Sequence, residues 1–250
     1  MTSFSLDGQT AIVTGASRNI GAAIAMAMAE AGADLLLVAR GREALEASAQ
    51  RVREATGRRV ETVVADVATP EGTERIVAAA DEHCLTIDTL VNNAYTNGGT
   101  HGTTVFDAGD DAWETVLRTN VMGPARLARA FGRRMLDGDG GSIINVLSGS
   151  GFLASPGLAP YGASKAALWM LTRSIAEEGA PKVRANGLCP GGVTETGEPR
   201  NDAQRYHLPM VPMGRLGRPH EIAGAAVYLA SPAASYTTGA VIVVNGGRVW

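Results

Sequence analysis

Three residues carry the first chemical suggestion in this chain. Ser148 follows an apolar run at 143–147, Tyr161 stands thirteen residues further on, and Lys165 comes four residues after that. Residues four apart share one face of a helix, so the phenol and the ammonium would stand together. A neighbouring cation favours the phenolate and lowers a tyrosine pKa from its ordinary value of about 10. A phenol tuned in that way exchanges a proton with an alcohol or carbonyl oxygen near neutral pH. Ser148 offers a hydroxyl to hold the same oxygen, with Ser150 as its alternative. Lys165 and Lys182 are the only lysines in a chain that otherwise uses arginine, which suggests that a compact ammonium matters at 165. A lone Y-x-x-x-K equally describes a helix start with two surface residues, so the elements around it decide.

Those elements alternate. Short apolar runs at 10–14, 34–39, 59–65, 88–92, 141–147, 182–188 and 240–244 read as strands. Helical patterns lie between them at 19–31, 42–56, 70–82, 110–136, from Tyr161 to about 178, and at 219–230. Continuously apolar strands separated by helices indicate a parallel sheet covered on both faces. Pro124 inside the long helix removes a backbone donor and is expected to bend it. Seven strands in 250 residues leave no room for a separate substrate domain, so residues 1–250 read as one α/β domain. The connection at 190–214 is long enough for a binding loop.

The first strand runs into Thr-Gly-Ala-Ser-Arg-Asn-Ile-Gly at 14–21. Small residues there let backbone approach a pyrophosphate, and the helix that follows offers unpaired amides and the positive end of its dipole. A strand before and a helix after are the context that a dinucleotide fingerprint requires. The end of the second strand then selects the cofactor. A carboxylate there binds the adenosine ribose and repels a phosphate; this chain has Ala39 followed by Arg40, with Arg18 in the first turn and Arg42 in reserve. Guanidinium groups match phosphate geometry with paired donors, so the expected cofactor is NADP(H).

Other classes recede. A net charge of −3 offers no basic stripe for nucleic acid. Arg126, Arg129, Arg133 and Arg134 fall at helical spacing and read as a solvated face, with an acidic carrier protein as the sharper alternative. Cys84 and Cys189 form no C-x-x-C and read as packing residues. The four histidines lack metal-ligand spacing. The first residues lack a secretory signal pattern, and no apolar run reaches the roughly 18 residues of a membrane span, so the expected setting is the cytoplasm.

Taken together, the motifs resemble the short-chain dehydrogenase/reductase family over nearly the whole chain. The turn at 14–21 is similar to T-G-x-x-x-G-x-G, with Asn19 in place of the middle glycine. Asp66 and Val67 resemble the pair that borders the adenine, and Asn92-Asn93-Ala94 resembles N-N-A-G, with Tyr95 in place of the glycine. Asn120 matches the asparagine that anchors a water leading to the lysine. Ser148, Tyr161 and Lys165 match the catalytic serine, tyrosine and lysine. Asn186 and Pro190-Gly191 match N-x-x-x-P-G, while Glu195 stands where a threonine contacts the carboxamide, between Thr194 and Thr196.

The resemblance implies a doubly wound Rossmann-type sheet with strand order 3-2-1-4-5-6-7 and a homotetramer or homodimer. Its implied cofactor contacts are Gly15, Ser17, Arg18, Asn19, Ile20, Gly21, Arg40, Asp66, Val67, Asn93, Ala94, Tyr161, Lys165, Pro190, Gly191 and Val193. The implied reaction is hydride transfer between NADPH and a ketone, with Tyr161 as the acid/base. A 3-oxoacyl carrier-protein reductase is the alternative, as is a redox-neutral or non-catalytic member of the fold. Specificity is expected at 95–104, 149–158 and 192–213, where Phe152, Leu153, Leu158, Tyr206, Leu208 and Met210 hint at an apolar acceptor, with His207 a further candidate.

Overall fold

The structure is a computed structural model that describes residues 3–83 and 85–248; the Cys84 expectation lies outside them. The strand runs form where they were expected: β1 (Thr10–Thr14), β2 (Asp34–Ala39), β3 (Val60–Val64), β4 (Thr89–Asn92), β5 (Gly141–Val146), β6 (Val183–Pro190) and β7 (Val241–Val244). All pair in parallel, in the order β3-β2-β1-β4-β5-β6-β7. Alternate residues of each strand serve opposite faces. On β2, Leu35 and Leu37 join one core and Leu36 and Val38 the other. This two-sided burial is why the strands are apolar throughout.

Helices α1 (Asn19–Glu30), α2 (Arg42–Thr56) and α8 (Pro219–Ala230) cover the first face. Helices α3 (Pro70–Glu82), α5 (Gly123–Asp137) and α6 (Ala159–Gly179) cover the second. Local chemistry sets their ends. Thr69 caps α3 by accepting from the Gly72 amide at 3.0 Å, with Pro70 in the first turn. Gly57 closes α2 in the left-handed conformation, φ +66°. In α2, Leu45, Ala49 and Val52 form the buried stripe at helical spacing.

The long helix expected at 110–136 forms without a break but is not α-helical throughout. It divides into α4 (Asp110–Leu117), a π-helical turn (Arg118–Met122) and α5. Pro124 lies in the first turn of α5 and has no N–H to give the Asn120 carbonyl. The proline therefore acts by widening the turn before it, as inserted π-turns do. A short helix, α7 (Asp202–His207), interrupts the 190–214 connection, capped by Asn201 accepting from Gln204 at 2.9 Å. Among the described residues, no helix is long and apolar enough to cross a membrane.

Candidate active site

The carboxyl ends of β1, β2, β4, β5 and β6 open into one cleft of about 650 Å³. Open parallel sheets bind ligands at this edge, where the strand order reverses.

One end of the cleft is the turn from β1 to α1. The Thr14 hydroxyl donates to the Val91 carbonyl at 3.1 Å and accepts from the amides of Asn93 and Ala94. The Asn93 side chain donates to the Thr14 carbonyl at 2.8 Å, so β1 and β4 are stapled where the turn begins. Asn19 has φ +54°, the left-handed conformation that the family pattern gives to glycine; asparagine is among the few side chains that visit it readily. Gly21 is required by closeness. A methyl on it would lie 2.2 Å from the Gly15 carbonyl oxygen and 2.5 Å from the Asn93 amide. Arg18 precedes α1 without capping it, which leaves the first amides of that helix available to an anion.

Ala39 and Arg40 line the same end, and so do Asp66 and Val67. The Asp66 carboxylate accepts from the Ala68 amide at 2.9 Å. The side chains of Arg18 and Arg40 make no hydrogen bond or ion pair among the described residues, and β2 ends on Ala39, followed by Arg40, with no carboxylate in either position. Arg42, the reserve candidate, lies outside the lining of the cleft. A tight glycine cradle and two unpartnered guanidinium groups fit a dinucleotide that carries an additional phosphate.

The other end holds Ser148, Tyr161 and Lys165. Ser148 ends the β5 segment and caps a short turn, accepting from the Ser150 amide at 3.3 Å. Tyr161 and Lys165 occupy the first two turns of α6. That helix is held close: a methyl on Gly162 would lie 2.7 Å from the Ser150 carbonyl oxygen. The Ser150 hydroxyl accepts from Ser155 and faces a second cavity, so Ser148 alone is aimed at the phenol.

The electrostatics correct one expectation. Burial pushes the Tyr161 phenol above its ordinary range, and hydrogen bonding with Ser148 only partly opposes this. Tyr95 and Cys189 push it further in the same direction. Lys165 is 2% exposed, and its Nζ donates to the Val146 carbonyl at 2.7 Å. Desolvation lowers its pKa to about 8. The ammonium stands 5.6 Å from the Tyr161 ring centroid and does not bond the phenol. Burial therefore outweighs the neighbouring cation. Cys189, beside this pair in β6, is wholly buried and its thiol is pushed up to about 12 by desolvation.

Asn120 sits in the π-helical turn and is wholly buried. Its side chain accepts from the Thr96 amide at 2.9 Å and donates to the Thr96 carbonyl at 2.8 Å and to the Ser164 hydroxyl at 2.9 Å. Ser164 in turn donates to the Tyr161 carbonyl at 2.7 Å. The Asn120 amide thus ties the loop after β4 to the helix of Tyr161. Ser164, Thr14 and the Val146 carbonyl are the supporting groups that sequence reasoning missed. Of these, only Thr14 had a signal, as the first residue of the glycine turn.

The cleft reaches Gly15, Ser17, Asn19, Ile20, Asn93, Ala94 and Pro190, and ends there on the β6 side. Gly191 donates to the Val244 carbonyl, and Val193 pairs with Gly217 and packs on the first core, so neither lines the cleft. Thr194 donates to the Glu198 carbonyl, and the Thr196 hydroxyl accepts from the Glu198 amide. Both hydroxyls serve the local turn. A second cavity of about 580 Å³, lined by Phe152, Leu153 and Leu158 together with Gly162 and Ala166 of α6, lies beside the cleft and shares no residue with it. The arginine face is largely engaged: Arg134 pairs with Asp81, Arg133 with Asp137, and Arg126 donates to the Ala68 carbonyl.

A family model described as enoyl-(acyl carrier protein) reductase matches residues 15–248. The chain is 42% identical over 257 residues to a galactitol 2-dehydrogenase (L-tagatose-forming) from Cereibacter sphaeroides, covering 100% of this chain and 98% of that one. It is 39% identical over 245 residues to a 3-oxoacyl-(acyl-carrier-protein) reductase from Vibrio cholerae, covering 97% and 98%. A crystal structure of a gluconate 5-dehydrogenase from Burkholderia cenocepacia, in complex with NADP and tartrate, superposes with a TM-score of 0.90 at 33% identity over 99% and 97% of the two chains. With its sheet order, its glycine turn and its Ser-Tyr-Lys cleft, the chain belongs to the short-chain dehydrogenase/reductase family of oxidoreductases.

Proposed function

We propose that the chain is an NADP(H)-dependent oxidoreductase that interconverts a ketone and a secondary alcohol, with residues 1–250 acting as one dinucleotide-binding and catalytic domain. The observation that carries this reading is the shared cleft: Ser148, Tyr161 and Lys165 at one end, the glycine turn with unpaired Arg18 and Arg40 at the other. The NADP named for the Burkholderia cenocepacia enzyme supports the phosphate-bearing cofactor.

Bound NADPH would supply the hydride; this chain would orient the acceptor and manage its proton. Ser148 donates a hydrogen bond to the carbonyl oxygen, and Tyr161 gives that oxygen its proton. Lys165 would hold the nicotinamide ribose, and its charge is the one available to draw the phenol down from its raised pKa. The Asn120 carbonyl, with no N–H from Pro124, is the acceptor for the water that returns the proton. Gly191 and Val193 take part through the backbone if the 190–214 connection folds over the cofactor.

The test is consumption of NADPH with a panel of ethyl acetoacetate, acetoacetyl thioester and ketohexoses, which spans the polyol and acyl relatives. Tyr161→Phe is expected to lower kcat by about 10²–10⁴-fold while NADPH still binds. Turnover close to that of the parent would remove Tyr161 as the acid.

The same reading has the enzyme working in the cytoplasm as a homodimer or homotetramer. The exposed apolar stripe of Ala163, Ala167 and Met170 on α6, and the edge strand β7 with Val243 exposed, support self-association. Sedimentation velocity decides it; a monomer at micromolar concentration would sink that part alone.

A further inference from the structure

Tyr95 is the residue that neither the fold nor the reaction explains. Its backbone is held on both sides. The amides of Asn93 and Ala94 donate to the Thr14 hydroxyl, and the Asn120 side chain grips both polar groups of Thr96. With the backbone fixed, only the side-chain torsions remain free. The ring is 60% exposed, yet it lies inward along the cleft wall. Its centroid is 5.9 Å from that of Tyr161, with the planes inclined by 58°. Lys165 Nζ stands 5.6 Å from the centroid of each ring. The buried ammonium therefore has one hydrogen bond, to Val146, and two aromatic neighbours within cation–π range. The Tyr95 hydroxyl makes no hydrogen bond among the described residues, so what it brings to the pair is its ring.

We propose that Tyr95 is a positioning residue for the reaction: its ring roofs Tyr161 and Lys165 on the open side of the cleft and keeps water from the phenol while the proton moves. The inference rests on Tyr161 being the proton donor. The groups facing that phenol are Ser148 from the end of β5, Lys165 from its own helix, Tyr95 from the loop after β4 and Cys189 from β6. Ser148 hydrogen-bonds it, whereas burial opposes its ionisation more strongly than any neighbouring charge does. Replacing the ring by a hydrogen opens the phenol to solvent, which favours the charged form. Ketone reduction needs the neutral phenol, so the rate falls as pH rises through its pKa, and an opened site begins that fall earlier.

The experiment is the pH dependence of kcat for the panel ketone that the parent reduces fastest, at saturating NADPH, in Tyr95→Phe, Tyr95→Leu and Tyr95→Gly. NADPH affinity is read separately from its fluorescence, and folding from Tm. Tyr95→Phe is expected to match the parent. Tyr95→Gly is expected to lose about tenfold in kcat, with its alkaline inflection about one pH unit lower and NADPH affinity within about threefold. Tyr95→Leu, which restores bulk, is expected to fall between them and serves if the glycine variant does not fold. An unmoved inflection in the glycine and leucine variants overturns the inference. So does a phenylalanine variant as impaired as the glycine one, since that would place the role in the hydroxyl. An active Tyr161→Phe enzyme fails the underlying reading instead, whatever Tyr95 does.

Discussion

Lys165 hydrogen-bonds the carbonyl of Val146, at 2.7 Å, and not the Tyr161 phenol four residues before it. The ammonium is thus anchored to the last residue of β5, the strand that also delivers Ser148. This bond fixes the buried lysine to the sheet, and burying its charge destabilises the fold.

That penalty sets a pH dependence of stability. The folded pKa is about 8, below the ordinary 10.5. Below pH 8 the charged form is buried and the penalty is complete. Between pH 8 and 10.5 the folded chain releases a proton that the unfolded chain keeps, so stability rises with pH. Relative to Lys165→Met, the parent is expected to gain about 2–3 kcal/mol between pH 7 and pH 10. Urea unfolding of both proteins at the two pH values measures this, and parallel behaviour would contradict it.

Arg40 and Arg18 face the cleft without partners, so removing them breaks nothing in the free protein. Arg40→Ala is expected to weaken NADPH by about 10–100-fold, the value of a charge-assisted hydrogen bond, and to leave NADH within about twofold. Parallel fluorescence titrations with the two cofactors are the measurement. Equal losses would remove the phosphate role. The NADPH term is also expected to weaken with added salt.

Gly21 and Asn19 separate space from conformation in one turn. Gly21→Ala puts a methyl against the Gly15 carbonyl, and the overpacking is expected to cost about 1–3 kcal/mol together with most of the dinucleotide affinity. Asn19→Gly accepts φ +54° and is expected to bind as the parent does, whereas Asn19→Val strains that backbone and binds poorly. Dinucleotide titration with a thermal melt checks all three.

Asn120→Ala leaves the part-buried amide and carbonyl of Thr96, and the buried Ser164 hydroxyl, without their partner. A loss of about 2–4 kcal/mol in unfolding free energy is expected, with kcat reduced and NADPH affinity little changed. Denaturation and steady-state kinetics on the same preparation would show it. A variant of parental stability would mean that water replaces the amide.

The strands and the ends of α2 and α3 could be read from the chain because their signals are local: apolar runs, a proline in the first turn, a glycine after the last turn. The catalytic trio was legible through spacing, and Asn19 through the turn it had to make. The π-helical turn was not, because Pro124 announces a disturbance without saying whether the helix bends or widens. Nor was the direction of the Tyr161 shift. Sequence shows that a cation is four residues away, but not that both groups lie under protein on a wall with Tyr95 and Cys189. The turn at 194–198 shows the same limit, since a threonine's spacing does not reveal that its hydroxyl serves a neighbouring carbonyl.

The grip of Asn120 on Thr96 also marks a boundary. Upstream of it the chain is bound to β1, β5 and α6 and tolerates little change. Downstream, residues 97–109 are held chiefly by turns of their own, such as those closed by Thr100 and Asp107. Length and composition can drift in that segment while the proton-handling groups stay put. It is where a lineage could acquire a new appetite without rebuilding the engine beneath it.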